Sequence, residues 1–168
     1  MKPESDISQV MKQPVICVNS VMNVIDALQV AKDHNIHHLV VMDNGALEGV
    51  VCTCDLRDAS LRAPVQDVMH RDVATVSPDM TARQAAELMV SRKVGSVIVT
   101  NGRKPVGVVT RLDLSEHDEA TKELISECKC AACGSHQHLR SGNDGEYWCV
   151  SCLDRATPDG WFDLGTGD

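Results

Sequence analysis

The sequence predicts a mixed fold of class α/β (α+β), in which two copies of one β-α-β-β-α unit are followed by a small β-hairpin domain. Three observations predict it. The first two thirds of the chain repeat at a fixed offset, each copy joins short apolar runs to an amphipathic helix, and the last third carries paired cysteines. The 168 residues, 43% hydrophobic and 24% charged, have the balance of a globular protein with room for two small domains.

The repeat covers the first two thirds of the chain. Shifting residues 8–60 by 58 positions aligns them with residues 66–118 without a gap, which indicates two copies of one supersecondary unit. We call residues 8–60 the first copy and residues 66–118 the second copy. The matched residues are Val10-Met11 with Val68-Met69, Val15 with Val73, Val18 with Val76, Ala27 with Ala85, Gly49-Val50-Val51 with Gly107-Val108-Val109, and Asp55-Leu56 with Asp113-Leu114.

Each copy begins with a short apolar strand, at residues 15–18 and 73–76, followed by a polar stretch suited to capping a helix. The predicted caps are Asn19 or Ser20 in the first copy and Thr81 in the second. Apolar residues at i, i+3, i+4 and i+7 then predict a helix that packs closely on a sheet. These stripes are Val24, Ala27, Leu28 and Ala31, and Ala82, Ala85, Ala86 and Met89.

Two apolar runs follow each helix, and a turn separates them. Asn44-Gly45 and Asn101-Gly102 stand between these runs, and Asn-Gly between apolar runs is a strong signal of a β-hairpin. A second helix is predicted after each hairpin, which completes the β-α-β-β-α order.

The residues quoted above resemble a tandem pair of cystathionine-β-synthase (CBS) domains, the Bateman module. The resemblance depends on the Val-Met pair before the first strand, the Asn-Gly hairpin, and the run from Gly107 to Leu114. It implies two repeats packed sheet to sheet as a pseudo-two-fold pair, with two clefts that bind adenosyl ligands such as AMP, ADP, ATP or S-adenosylmethionine. It also implies a homodimer formed through the helices of both copies.

The family motif Gly-x-x-Ser/Thr-x-x-Asp is complete in the second copy, where Thr110 and Asp113 occupy it. The Thr110 hydroxyl and the N–H groups of a helix start suit a phosphate, Asp113 suits ribose hydroxyls, and Arg111 can neutralise phosphate. The alternative is that Thr110 and Asp113 form a capping box and bind nothing. The resemblance implies that the other wall of this cleft contains Ile16, His37 and His38, with Gly95 nearby.

The first copy departs from the motif because Cys52 stands where Ser or Thr belongs, although Gly49 and Asp55 remain. A thiol is a weak hydrogen-bonding group, so this cleft is less suited to a ligand, and Thr53 is the expected helix cap. The resemblance implies that Asp55 and Cys52 face Ala74 and residues 94–96. Cys17, Cys52 and Cys54 are expected to be small buried apolar residues.

The last third of the chain carries two C-x-x-C pairs separated by fifteen residues, which is the spacing of a structural four-cysteine zinc site. The predicted zinc ligands are Cys130, Cys133, Cys149 and Cys152. Residues 128–164 resemble a zinc ribbon, and a helical connector at 119–127 links it to the second copy. Cys128 is a spare ligand, a redox-sensitive neighbour or unused, and His136 and His138 are alternative ligands or solvated side chains.

All four aromatic residues lie in this last third, where they either dock the ribbon on the repeats or form an exposed patch for a protein partner. Acidic residues also concentrate there: residues 115–168 hold 4 basic and 11 acidic side chains within a formal net charge of −8. An acidic surface disfavours nucleic acid. The aromatic residues are Tyr147, Trp148, Trp161 and Phe162.

The sequence therefore predicts a regulatory protein, not an enzyme, that senses an adenosyl ligand, with a zinc ribbon that supports dimer or partner contacts. It contains no P-loop and no recognisable pairing of a nucleophile with a base. Without an apolar span or a signal-like start, it is expected in the cytoplasm. Two alternatives remain, an iron or dithiol redox protein using the C-x-x-C pairs and a nucleic-acid-binding, transcription-associated ribbon.

Overall fold

A computed structural model describes residues 4–117, 119–126, 139–141 and 147–149. The first copy contains β1 (Cys17–Val18), α1 (Val24–Asp33), β2 (His38–Asp43), β3 (Ala46–Cys52) and α2 (Thr53–Asp58). The second copy contains β4 (Thr75–Val76), α3 (Ala82–Arg92), β5 (Ser96–Asn101), β6 (Lys104–Thr110) and α4 (Arg111–His117). Helix α5 (Glu119–Ser126) and strands β7 (Leu139–Ser141) and β8 (Tyr147–Cys149) follow.

Each copy forms a three-stranded sheet, in the orders β1-β2-β3 and β4-β5-β6. The first strand runs parallel to the second, and the third is antiparallel to it. The registers repeat at the sequence offset, because His38 pairs with Cys52 in one sheet and Ser96 with Thr110 in the other. The predicted β-α-β-β-α order is confirmed in both copies.

The helices pack on these sheets through small residues, as predicted. Helix α3 buries its whole predicted stripe, whereas in α1 Leu28 is only half-buried. The Thr81 cap is confirmed: its side chain accepts the Gln84 N–H, and the Gln84 side chain accepts the Thr81 N–H.

The predicted cap of α1 is wrong. Asn19 and Ser20 lie in a turn ahead of the helix, closed by the Met22 N–H on the Asn19 carbonyl at 3.2 Å. The helix begins after Asn23, whose side chain makes no capping hydrogen bond. Ser20 is buried instead, and its backbone N–H donates to the Asp43 carboxylate at 3.1 Å.

The two predicted hairpins are present, but their turns differ. Asn44 and Gly45 both have positive φ, at 50° and 76°, as a type I′ turn requires. In the second hairpin Asn101 pairs with Lys104 as the end of the strand, and the positive φ of 62° falls on Gly102. This places glycine first in the two-residue loop, the position that type II′ turns favour.

Two short segments cross between the copies. Ile7, in a 3-10 turn ahead of the first copy, is buried in the second copy's core, and its N–H donates to the Met80 carbonyl at 2.8 Å. Val65, in the matching turn between the copies, is buried in the first copy's core, and its N–H donates to the Met22 carbonyl at 2.8 Å. We call residues 5–12 and 63–70 the leading segments. Residues 5–12 complete the core of the second copy, and residues 63–70 complete the core of the first.

The leading segments also extend the sheets. Lys12 forms an antiparallel bridge with Val108 of β6, and His70 forms the matching bridge with Val50 of β3. Val40 and Ile98, at the centres of β2 and β5, are buried although they belong to neither core. Both faces of each central strand are therefore covered, as expected for repeats that pack against each other.

Helix α5, at the predicted connector, packs on α3 and α4 and adds Ile125 to the second copy's core. Strands β7 and β8 form an antiparallel hairpin between the two C-x-x-C pairs, and Cys149 ends β8. No helix in the described part of the chain is long and apolar enough to cross a bilayer. The predicted zinc ligands Cys130, Cys133 and Cys152 lie outside the described residues.

Candidate functional site

Thr110 and Asp113 meet where β6 ends and α4 begins. One oxygen of the Asp113 carboxylate, Oδ2, accepts the Thr110 N–H at 2.8 Å and the Thr110 hydroxyl at 2.7 Å. The Asp113 N–H faces the same hydroxyl oxygen at 3.4 Å. The two residues therefore cap α4 reciprocally, and the ligand-binding role of the same pair stays a prediction.

The other Asp113 oxygen is held by a residue from a leading segment. Lys12 Nζ lies 2.9 Å from Oδ1, and the Asp113 side chain is only 7% exposed whereas that of Lys12 is 67% exposed. A nearly buried carboxylate is thus paired with a cation that solvent can reach. Sequence reasoning missed Lys12, although the 58-residue offset places it opposite His70, directly after the Val-Met pair in both copies.

Arg111 is buried, at 6% exposure, between the two motif residues. Its Nη2 donates to the Val94 carbonyl at 3.0 Å, and the guanidinium lies 5.0 Å from the centroid of the Tyr147 ring. A guanidinium over an aromatic face is a favourable cation–π contact. A phosphate role for Arg111 stays a prediction; the contacts of its guanidinium in the structure include a carbonyl and an aromatic ring.

The Tyr147 contact bears on the predicted aromatic cluster. Tyr147 and Trp148 in β8 are half-buried, and Tyr147 packs on α4 of the second copy through Arg111. Tyr147 thus contacts the second copy, and the roles predicted for the aromatic cluster as a whole stay predictions. Trp161 and Phe162 lie outside the described residues.

Gly95 lies beside the start of α4, where its carbonyl accepts the Arg111 N–H at 3.3 Å. A Cβ built on Gly95 meets none of the described heavy atoms within 4 Å. Among the described residues, Gly95 therefore has room for a small side chain beside the start of α4. Ser96 pairs directly with Thr110 in the sheet, so this wall of the site comes from the second copy itself.

The first copy has the same arrangement with different side chains. Cys52 is the N-cap of α2, and its Sγ accepts the Cys54 N–H at 3.3 Å. Asp55 Oδ2 lies 3.0 Å from His70 Nε2, which matches the contact of Asp113 with Lys12. The expectation that Thr53 caps this helix is wrong, since Thr53 is the first helical residue and is buried.

Burial of the three cysteines in this copy differs from the expectation. Cys17 is exposed, because the two-residue strand β1 turns Val18 inward and Cys17 outward. Cys52 and Cys54 are half-buried.

The Cys52 thiol is also acidified. A hydrogen bond from the Cys54 side chain and the positive charge of His38 lower the pKa of Cys52 to about 5, against the opposing effects of burial and of Asp55. These contacts favour the thiolate form of Cys52 relative to an ordinary cysteine.

Ile16, His37 and His38, predicted on the opposite wall, make contacts within the first copy. The Ile16 carbonyl accepts the Val40 N–H at 3.2 Å. His37 faces Thr53, with its Nδ1 3.4 Å from the Thr53 hydroxyl, and His38 pairs with Cys52. Placing Ile16, His37 and His38 opposite Thr110 stays a prediction.

Comparison with known proteins agrees with this architecture. The model of the family described as "CBS domain" matches residues 7–62 and 65–119. The L-aspartate semialdehyde sulfurtransferase of Methanocaldococcus jannaschii is 27% identical over 117 residues, which are 67% of this chain and 23% of that protein. The chain thus spans about a quarter of that enzyme's length.

Solved structures of CBS pairs share the fold. The CBS domain pair of protein MJ0100, in complex with 5′-methylthioadenosine and S-adenosyl-L-methionine, has 27% identity and a TM-score of 0.64, covering 68% of this chain and 95% of that one. The cytosolic domain of the Mg2+ channel MgtE in complex with ATP has 25% identity and a TM-score of 0.60, covering 67% and 48%. The family match spans most of the chain and falls on both repeats, so this protein belongs to the CBS domain family and carries a tandem CBS pair.

Proposed function

We propose that the CBS pair is a regulatory module that binds an adenosyl ligand at the start of α4. The observation that carries the proposal is which groups contact the two oxygens of the Asp113 carboxylate. One oxygen is bound to Thr110, and among the described residues the other is held only by the exposed Lys12. Ribose hydroxyls are donors that an ionised carboxylate accepts well, and here they replace the Lys12 ammonium at Oδ1.

The room beside Gly95 supports the same location, because Gly95 lies next to the start of α4 and a Cβ added there meets no described heavy atom within 4 Å. Two proteins of similar structure bind adenosyl compounds: the CBS domain pair of MJ0100 was solved with 5′-methylthioadenosine and S-adenosyl-L-methionine, and the cytosolic domain of MgtE with ATP. We extend this ligand class, and no particular member of it, to the second copy.

Lys12 gives the site a route to regulation. It belongs to the leading segment that carries Ile7 into the second copy's core. A ligand that takes Asp113 Oδ1 releases Lys12 and changes the contacts of this segment. It shifts the equilibrium between two arrangements by its difference in affinity for them.

The test is a thermal-shift panel of AMP, ADP, ATP, NAD and S-adenosylmethionine with the full chain, since a ligand that binds only the folded state raises the melting temperature. At least one is expected to raise it. Asp113→Asn keeps an amide oxygen for the Thr110 N–H but removes the charge, and it is expected to abolish the shift.

Two further variants sharpen this test. Gly95→Leu fills the adjoining space and is expected to abolish the shift with little change in the apo melting temperature. Asp55→Asn, at the matching position of the first copy, is expected to leave the shift intact. A full shift in both Asp113→Asn and Gly95→Leu, or no shift with any of the five compounds, contradicts the proposal.

We also propose that residues 128–164 form a structural zinc ribbon. Four cysteines in two C-x-x-C pairs suit tetrahedral zinc, and the β7–β8 hairpin lies between the pairs as in such a ribbon. The metal supplies folding free energy to a segment that is too short for a large core. Elemental analysis is expected to give one zinc per chain, and Cys133→Ser is expected to lose it. Iron with visible absorbance supports the redox alternative.

The proposed role is regulatory and cytoplasmic, without catalysis of its own, and the proposed assembly is a homodimer through the helices. Ile25 on α1 and Leu112 on α4 are 51% and 53% exposed, which leaves apolar side chains on helices of both copies. Light scattering of the full chain is expected to give the mass of a dimer, and a monomer mass contradicts this assembly.

A further inference from the structure

We propose that Cys52 and Cys54 form an oxidation site for hydroperoxides at the start of α2, with Cys52 as the attacking sulfur and Cys54 as the resolving one. The inference concerns the first copy alone and does not depend on ligand binding in the second. It rests on a cluster of groups: two thiols on one helical turn, the capping hydrogen bond between them, and His38 on the neighbouring strand.

The backbone brings the two cysteines within range of a disulfide. The distance between their Cα atoms is determined by the conformation of Thr53, which is helical, and helix geometry sets it at about 5.4 Å. Disulfides span roughly 4.4–6.8 Å between Cα atoms. Cys52 has the extended backbone of an N-cap, so its side chain folds over the first turn, where Sγ lies 3.3 Å from the Cys54 nitrogen.

The surroundings of Cys52 favour the thiolate, which is the nucleophilic form of cysteine. The Cys54 side chain and His38 lower its pKa to about 5, while Asp55 opposes them with its negative charge. Asp55 is itself paired with His70 from the leading segment. Cys52 is only half-buried, so a small oxidant can reach it.

The chemistry needs only a hydroperoxide as the oxidant. The Cys52 thiolate attacks one oxygen of hydrogen peroxide, which breaks the O–O bond. This step gives a sulfenic acid at Cys52 and releases hydroxide. The Cys54 thiol then displaces the sulfenic oxygen as water and forms the Cys52–Cys54 disulfide. Two thiol sulfurs are oxidised and one peroxide is reduced.

Oxidation has a structural consequence in the first copy. The thiolate that accepts the Cys54 N–H becomes a neutral disulfide sulfur, which is a poor acceptor, so the cap of α2 is weakened. Asp55 lies on the same turn and holds His70. Oxidation of Cys52 and Cys54 is therefore expected to change the contact between Asp55 of α2 and His70 of the leading segment.

The first test compares Cys52 with the exposed Cys17 in the full chain. Iodoacetamide is applied at about pH 6, where an ordinary thiol with a pKa of about 8.5 is almost fully protonated. Peptide mapping separates these two cysteines from those of the last third of the chain. Cys52 is expected to be alkylated well before Cys17, although Cys17 is more exposed. Equal or faster labelling of Cys17 overturns the proposal.

The second test treats the full chain with hydrogen peroxide and maps the peptide containing residues 52–54. Wild type is expected to lose two hydrogens from this peptide and to regain them with a thiol reductant. In Cys54→Ser, Cys52 is expected to stop at the sulfenic acid and to be trapped by dimedone. An unchanged peptide in wild type, or dimedone trapping at Cys52 with Cys54 left reduced, overturns the proposal.

Discussion

The two copies differ far more in their helix-start side chains than in their backbones. Both sheets have the same strand order and the same register, and each leading segment makes the same bridge to the opposite copy. At the start of the last helix, however, the second copy has Thr110, Asp113 and Lys12, where the first has Cys52, Asp55 and His70. A duplicated scaffold thus carries two different sets of side chains at the helix start, for which we propose different roles.

The copies also differ in how the chain completes them. The first copy is completed by residues 63–70, which follow it directly, whereas the second is completed by residues 5–12, from the far side of the first copy. The second core therefore depends on a contact between distant parts of the sequence. Variants in the leading segments and at the positions that they contact test that dependence and the equivalence of the two copies.

The largest expected effect on stability comes from Ile7→Ala. Ile7 is fully buried in the second core, and truncating a buried isoleucine to alanine costs about 2–5 kcal/mol. Urea denaturation is expected to show this loss, and hydrogen exchange is expected to place it in β5 and β6. Val65→Ala, the matched variant, is expected to cost less and to expose β2 and β3. A change below about 0.5 kcal/mol for Ile7→Ala contradicts the crossed packing.

A smaller effect is expected where each leading segment crosses a glycine. A Cβ at Gly107 would clash with Met11 Sδ, and one at Gly49 would lie 2.7 Å from the His70 carbonyl oxygen. Each Gly→Ala variant is expected to lose about 1–3 kcal/mol through overpacking. A second substitution distinguishes the two variants. The Met11 side chain can be shortened by mutation, whereas the His70 backbone carbonyl cannot be removed.

Met11→Ala is expected to recover part of the loss in Gly107→Ala, whereas Met69→Ala is expected to recover little in Gly49→Ala. Denaturation of the single and double variants measures both coupling energies. Equal recovery in the two copies would show that the two crossings are equivalent.

The smallest effect distinguishes the helices α3 and α1. Thr81→Ala removes a capping box and is expected to cost about 1 kcal/mol. Asn23→Ala removes a side chain that makes no capping hydrogen bond and is expected to cost less than about 0.5 kcal/mol. Thermal denaturation of the two variants provides the comparison, and a larger loss for Asn23→Ala would reverse it.

Much of the fold was predictable because its signals are local. The strand and helix order, the Asn-Gly hairpins and the Thr81 cap each depend on neighbouring residues. The errors were also local in origin. The α1 cap was placed ahead of an intervening turn, Cys17 was given the burial of its neighbour Val18, and Thr53 was preferred to Cys52 because a thiol is a weak acceptor.

The candidate site was predictable only in part. Thr110 and Asp113 meet at the start of α4 with Gly95 beside them, and Lys12, about a hundred residues away in sequence, pairs with the Asp113 carboxylate. Arg111 was expected at a phosphate, and the structure buries it against Val94 and Tyr147. Neither contact has a periodic signal, because both join elements that are distant along the chain.

The sequence by itself determined the duplicated unit, its hydrophobic periodicity and the residue types at each helix start, because those properties follow from neighbouring positions. Only the tertiary structure decided that each leading segment packs on the opposite copy, which brings Lys12 to Asp113 and His70 to Asp55. The repeat makes the two leading segments chemically alike, so pattern alone cannot distinguish packing on the adjacent copy from packing on the distant one. That choice depends on which arrangement buries Ile7 and Val65.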